Sequence, residues 1–492
     1  MKRISILAMA LLTAMTATAR TFDMKKLGAD AEGNKPCTQL INRTIEKAAA
    51  EGGGTLYFAA GTYLTATIHM KSNITLHLEA GATLRFSDVF EDYLPFVTLR
   101  WEGTVMQSLS PLIYARGADN LTITGRGTLD GNGLKWWQWE YDTRKVLKEN
   151  GGKLPALSKL QQMWVDANQG LEVSDYYKPS LERRMFRPPF IQFYECSNIL
   201  IENVKIINSP YWTVNPAFCD NVVVEGVTIH NPSSNPKGPN TDGINPSSCS
   251  NVRISNCFIS VGDDCITIKS GRDADGRKYG KACENITISN CVMLSGHGGV
   301  VIGSEMSGGV KRVAIANCVF DGTNAGIRLK ASRGRGGVVE DIRVDNIVMN
   351  NIQGDAFIFD LFYDKTSVVE PVSERTPIFR DIHLSNITGR DIKRIGYVKG
   401  IEEMPISELS FSNVRMKANE GFKAETATDL RFNDVDFSVE KGTALRFNRC
   451  KDVYMNDVRA KKLADGQLLV EMEDVENAMV IQCDTTLVKW SK

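Results

Sequence analysis

One position recurs along most of this chain, just behind a short β-like run. Its occupants are Val204, Val227, Cys257, Cys291, Cys318, Ile347, Ile387, Val414, Val435 and Val458. They stand 21 to 40 residues apart, and the residue before each is Asn or Asp, Gly226 excepted. Degenerate repetition with variable insertions is the pattern of a solenoid. The runs themselves, such as NVVVEGVTI, NVRISNCFI and DIRVDNIVM, alternate apolar with polar residues and favour β-branched side chains. They lack helical periodicity, which excludes helix-pair repeats, and they lack the leucine spacing of a leucine-rich repeat. Propeller repeats are longer and more regular. The predicted class is therefore all-β, a parallel β-helix whose coils stack at roughly 4.8 Å. The recurrent Asn is expected at a bend, its amide bonded to the next coil in an internal ladder.

With that architecture, 492 residues read as one elongated domain rather than three globular ones. A hydrophobic share of 42% with 24% charged residues suits an ordered, soluble chain. The 58 basic and 58 acidic side chains cancel, which argues against a nucleic-acid partner. Cys257, Cys291 and Cys318 each end an Ile-x-Asn-Cys segment, and the total of eleven cysteines is odd. Packing inside the coils is the expectation for them, since a free cysteine behaves as a small buried hydrophobe. Metal binding is disfavoured by the absence of a CxxC pair and by only five histidines.

Three segments depart from the repeat. Lys2 and Arg3 precede an apolar run from Ile4 to about Ala17, followed by Ala17-Thr18-Ala19. That pattern predicts a secretory signal peptide over 1–19 and export to the periplasm or the extracellular space. The run is too short for a membrane anchor, which needs roughly 20 apolar residues, so no membrane insertion is expected. Residues 38–51 have helical spacing at Ile41, Ile45 and Ala48 and stop at Gly52-Gly53-Gly54. Such a helix would cap the open end of the solenoid within a catalytic domain spanning 20–492. The third departure, 134–186, is an inserted excursion with helical spacing at Leu157, Leu160 and Met163/Trp164. It holds Trp136, Trp137, Trp139 and Trp164. The first three suit either stacking on sugar rings or packing onto the body, and Trp164 suits packing.

Aligning the coils brings unusual residues to one corner. Gly262-Asp263-Asp264 takes the place that Gly296-His297-Gly298 takes one coil later, and Asn240-Thr241-Asp242 fits one coil earlier. Arg328 and Lys330, two apart on a strand, face the same side further up the stack, and Lys269 falls close to Asp242. Each fragment alone is commonplace: a glycine-bounded Asp-Asp is usually a solvated turn. Their coincidence on consecutive coils is not. Three carboxylates that close repel one another, so at least one should hold its proton and serve as an acid while a neighbour activates water. Paired carboxylates of this kind perform glycoside hydrolysis, with Arg and Lys available to an anionic sugar.

These blocks, Asn240-Thr241-Asp242, Gly262-Asp263-Asp264, Gly296-His297-Gly298 and Arg328-Leu329-Lys330, stand in the order of glycoside hydrolase family 28. The sequence resembles that family, the polygalacturonases and their relatives, over nearly the whole mature chain. The resemblance implies a single-stranded right-handed parallel β-helix of the pectin-lyase type. It also implies inverting hydrolysis of α-galacturonosidic bonds in a pectic glycan. By the same resemblance Asp263 is the general acid, Asp242 and Asp264 position and deprotonate the water, and His297 supports the acid. Asn240, Arg328 and Lys330 bind substrate, and no cofactor or metal is implied. GSEMSGGV (303–310) resembles bacterial and plant exo-acting members, and the 134–186 excursion could wall off one end of the cleft. Ala59 stands where the family often has proline, and Met293 stands where fungal members place a cysteine paired to the one after Asp-Asp. A monomer is the expected state. The rival readings are a rhamnogalacturonan-directed galacturonohydrolase, a Ca²⁺-dependent pectate lyase and a non-catalytic β-helix that binds glycan.

Overall fold

The computed structural model describes residues 20–491 apart from 153, 155, 172–186, 364–367 and 461–465. The expected leader, 1–19, and the end of the excursion lie outside the described residues. What the repeat predicts is what the backbone does: the chain winds into a right-handed parallel β-helix. One column of inward side chains runs Ile199, Val222, Val252, Ile286, Val313, Ile342, Ile382 and Leu409, each paired in parallel register with the next. All eight are buried. Alternation along each strand puts these residues inside and their polar neighbours out, so a slip of one residue would invert the whole face.

The position that opened the sequence pattern is also interior, from Val204 to Val458. Cys257, Cys291 and Cys318 lie there, and all eleven cysteines are free thiols, ten of them buried. The cysteines are therefore packing residues. The preceding residue differs from expectation. Asn203, Asn256, Asn317, Asn346 and Asn413 take left-handed backbone angles, φ 52° to 59°, which asparagine tolerates better than other side chains. That bend turns the amide outward, so the ladder is external rather than internal: Asn346 Nδ2 donates to Asn317 Oδ1 at 2.8 Å, and Asn413 Nδ2 to Asn386 Oδ1 at 2.7 Å. A second outer ladder, not foreseen, links Asn221 to Asn198 and Asn120 to Asn73.

Helix α1 (Thr38–Ala50) covers the first coil with Ile41, Thr44, Ile45 and Ala48 turned inward. Left-handed Gly52 and Gly53 follow it. The excursion forms α2 (Leu134–Glu149) and α3 (Lys159–Ala167). Trp136, Trp137 and Trp164 are buried, and Trp136 stacks on Phe90 at 4.1 Å between centroids. These tryptophans pack the excursion onto the body and are not available to a sugar. Half-buried Trp139 meets Phe90 edge-on, while Met163 is exposed.

A further departure, absent from the sequence pattern, is a hairpin. Val97–Trp101 and Thr104–Ser108 pair as an antiparallel hairpin turned by Glu102 and Gly103, both with positive φ. This is the two-residue turn that matches strand twist. A Cβ on Gly103 would meet the Arg272 backbone nitrogen at 2.8 Å, so the hairpin tip sits tight against the body.

The outer ladder is testable at Asn346. Asn346→Gly keeps the left-handed bend and loses one exposed hydrogen bond, whereas Asn346→Val adds the steric penalty of that bend, about 1–2 kcal/mol. Thermal scans at one heating rate should rank wild type, Gly and Val in that order. Equal midpoints for the two variants would contradict a left-handed corner.

Candidate active site

Backbone hydrogen bonds stack the three motif turns on successive coils. Gly243 N donates to Asp264 O at 3.0 Å, Cys265 N to Gly298 O at 2.8 Å, and His297 N to Asp263 O at 2.9 Å. The alignment from sequence therefore holds: Asp242, Asp263/Asp264 and His297 share one corner. The glycines make the stacking possible. A Cβ on Gly243 would lie 2.4 Å from Cys265 O, and one on Gly298 would lie 2.4 Å from Val301 Cγ2.

The three carboxylates differ in access. Side-chain exposure is 4% for Asp242 and 1% for Asp264, against 16% for Asp263. Asp242 Oδ2 accepts from Asn245 Nδ2 at 3.0 Å and lies 4.0 Å from Lys269 Nζ. Asp264 Oδ2 accepts from Lys330 Nζ at 2.8 Å, and its buried Oδ1 has no hydrogen bond among the described residues. Asp263 Oδ1 accepts from the Asp264 backbone N at 2.9 Å and faces His297 Nδ1 at 3.0 Å.

Burial, then the charge of Asp263, pushes Asp242 well above the usual carboxylate range, although Lys269 and Lys330 oppose it. Burial also raises Asp263, but there the hydrogen bond and charge of His297, with Lys330 and Lys269, prevail and hold it below the usual range. The two shifts run opposite to the simplest expectation: burial favours the proton on Asp242, while the imidazole at 3.0 Å favours the ionised form of Asp263.

The flanking cations are more committed than the sequence suggested. Lys330, expected to bind substrate, already pairs with Asp264 and lies 5.2 Å from the centre of the Tyr363 ring. Arg328 Cζ lies 5.5 Å from the same ring, and its buried Nε makes no hydrogen bond among the described residues. Asn240 is present at the pocket, with its Oδ1 accepting from Arg187 Nη2 at 2.8 Å.

Several pocket residues escaped the sequence reading. Glu305 accepts from Lys269 Nζ at 2.8 Å, and Arg272 lies 3.8 Å from Glu305 and 3.7 Å from Glu102. Trp212, under the Lys269 ammonium at 4.5 Å, and Tyr363 also line the cavity. Glu305 lies in the segment GSEMSGGV, a signal that was readable. Glu102 arrives on the hairpin, and nothing in the repeat announces it.

Asp263, Asp264 and His297 set ligand atoms within 4.8 Å of one another. That spacing could hold a metal, but the Lys330 ammonium sits on Asp264 and the Lys237 ammonium on His297, at 2.5 Å from Nε2. A cation such as Ca²⁺, which favours oxygen ligands, would meet a histidine nitrogen and two neighbouring ammonium charges, so the donor set fits poorly.

Residues 169–429 match the family model described as "Glycosyl hydrolases family 28". The chain belongs to glycosyl hydrolases family 28. A solved structure of a hyperthermoactive exopolygalacturonase from Thermotoga maritima is 33% identical. The match covers 85% of this chain and 91% of that one, with a TM-score of 0.73. A "Probable polygalacturonase" of Vitis vinifera is 29% identical over 82% of this chain and 75% of its own length. An "Endo-polygalacturonase" of Pectobacterium carotovorum subsp. carotovorum is 26% identical over 87% of this chain and 98% of its own length.

The raised Asp242 predicts a measurable cost to stability. A carboxyl whose folded pKa lies above its unfolded value contributes stability below the unfolded value and loses it as pH rises through the folded one. Asp242→Asn removes that loss, while Glu305 still pairs with Lys269. The variant should melt roughly 1–3 °C above wild type at pH 7, with the gain vanishing as the pH falls towards 4. A lower midpoint at pH 7 would show that ionised Asp242 is net stabilising.

Proposed function

We propose that the protein is exported after loss of residues 1–19 and hydrolyses α-galacturonosidic bonds of pectic galacturonan with inversion, releasing product from a chain end. The observation that carries this reading is the corner itself. Of three stacked carboxylates only Asp263 has appreciable exposure, and it is the one that faces His297.

Asp263 is the general acid that protonates the leaving oxygen. Asp242 and Asp264 hold and deprotonate the attacking water once sugar binding has shifted the proton from Asp242 to Asp263, and Asp264 Oδ1, with no hydrogen bond among the described residues, is available to that water. Arg328 binds the sugar carboxylate, and Lys330 contributes its charge while it stays on Asp264. Asn240 contributes a polar contact at the same pocket. Against burial, His297, with Lys330 and Lys269, holds Asp263 below the usual carboxylate range, so the acid role needs these charges to be compensated. An anionic sugar beside Arg328 and Lys330 offsets the Lys330 charge that lowers Asp263, and it displaces water, so the substrate itself promotes protonation of its acid.

Chain-end cleavage is supported by α2, whose Tyr141 hydroxyl donates to Lys237 O at 2.6 Å and whose Arg144 reaches Asn240 Oδ1 at 3.4 Å. The excursion thus stands over the loop at one edge of the corner, as a wall would. The similarity to an exopolygalacturonase points the same way.

Asp263→Asn should lower kcat on polygalacturonate by about 10²–10⁴-fold with an unchanged melting temperature. Near-wild-type turnover would remove Asp263 from the reaction. Early digests by the wild type should contain one short product throughout; mixed oligomers from the first minutes would overturn the chain-end mode.

A further inference from the structure

Lys237 has no place in the four motifs, yet its ammonium lies 2.5 Å from His297 Nε2. Its loop is pinned from several sides. Tyr141 Oη donates to Lys237 O at 2.6 Å, Gly238 N to Pro232 O at 2.8 Å, and Arg187 Nη1 to Pro239 O at 2.5 Å. The lysine is thus held against the imidazole by the inserted helix α2 and the body together.

We infer that Lys237 is a positioning residue that fixes His297 as the neutral tautomer protonated at Nδ1, and thereby governs where the proton of Asp263 resides. A lysine ammonium carries three donors and no acceptor, so Nε2 must accept. The reverse arrangement would need lysine, the stronger base by roughly four pK units, to give its proton to histidine. With Nε2 accepting, the single imidazole proton is on Nδ1 and is donated to Asp263 Oδ1 at 3.0 Å. Asp263 Oδ1 also accepts from the Asp264 backbone N, so both donors converge on one oxygen. The other oxygen, Oδ2, is left to carry the proton that goes to the leaving group.

The charged groups around the imidazole are Lys237 on its outer side and Asp263 on its inner side. Asp264, Lys330 and Lys269 lie behind Asp263. Against burial, the charge of a protonated imidazole, together with its hydrogen bond, is what holds Asp263 below the usual carboxylate range; the neutral tautomer removes that charge and lets Asp263 keep its proton. Lys237 blocks the protonated state by occupying the only nitrogen that could take the second proton. The role rests on the proposed hydrolysis, in which Asp263 is the acid.

The test compares wild type, Lys237→Met and Lys237→Arg on polygalacturonate across pH 4 to 8. Nitrogen-15 imidazole spectra of selectively labelled histidine accompany it, with His297 assigned by its loss in His297→Asn. Methionine frees Nε2. Its kcat should fall about tenfold, a fraction of the 10²–10⁴ attributable to acid–base assistance, and the acidic limb of its pH profile should move towards neutral. Arginine, also a pure donor, should restore the wild-type profile. The spectra should show an Nδ1–H tautomer in wild type and its loss in Lys237→Met. An unchanged profile shape with an unchanged tautomer in Lys237→Met would overturn the inference. An inactive wild type would instead count against the substrate reading, and the tautomer would then decide the role of Lys237 by itself.

Discussion

The parallel backbone ladder between coils is the constraint on which everything else in this molecule depends. Each coil must repeat the path of the one before at roughly 4.8 Å, so any turn shared by three coils stacks its side chains at that spacing. Hydrophobic side chains profit from the rule, as the column from Ile199 to Leu409 shows. Acidic side chains do not. Asp242 and Asp264 are forced together by the same register that builds the core, and Asp263 follows because it is joined to Asp264.

Like charges at that spacing need compensation, and the molecule supplies it with lysines drawn from other coils. Lys269 stands between Asp242 and Glu305, and Lys330 holds Asp264. Burial, which raises the affinity of every carboxyl for protons, then sorts the acids: Asp242 is driven up while Glu305, beside Lys269 and Arg272, is held low against the same burial. The result is a corner whose neighbouring carboxyls are shifted in opposite directions. A small rearrangement of charge, such as the arrival of a sugar carboxylate, can then move a proton from one group to another. Strain of this kind is expected where a fold serves chemistry.

Much of this was legible in the sequence because it obeys a period. The repeat of Val204 to Val458 announced the solenoid, and aligning the coils placed Asp242, Asp263, Asp264 and His297 together before any coordinates. The Asn ladder was legible in position but not in direction, since facing outward follows from a left-handed φ that composition does not reveal. What breaks the period was hidden. Glu102 reaches the pocket on an antiparallel hairpin, and Lys237 arrives on a loop whose position is set by α2. The basic residues from Lys311 to Arg343 are mostly committed to acidic partners. Arg312, Arg333, Arg335 and Arg343 are tied to Glu284, Glu403, Asp273 and Asp381, which leaves Arg328 and Lys330 at the corner.

A net charge of zero is thus the sum of many local pairs, and the site adds a cluster of stacked carboxylates flanked by Lys269, Lys330 and Arg328. The central claim is that this cluster drives a single displacement by water, with Asp263 as acid and its stacked neighbours as base. The most direct measurement is proton NMR of the products in the first minutes of a polygalacturonate digest, before the anomers equilibrate. A newly formed reducing end in the β configuration is the predicted result, because one displacement inverts an α bond. An initial α anomer would mean two displacements and a covalent intermediate, and would contradict the account.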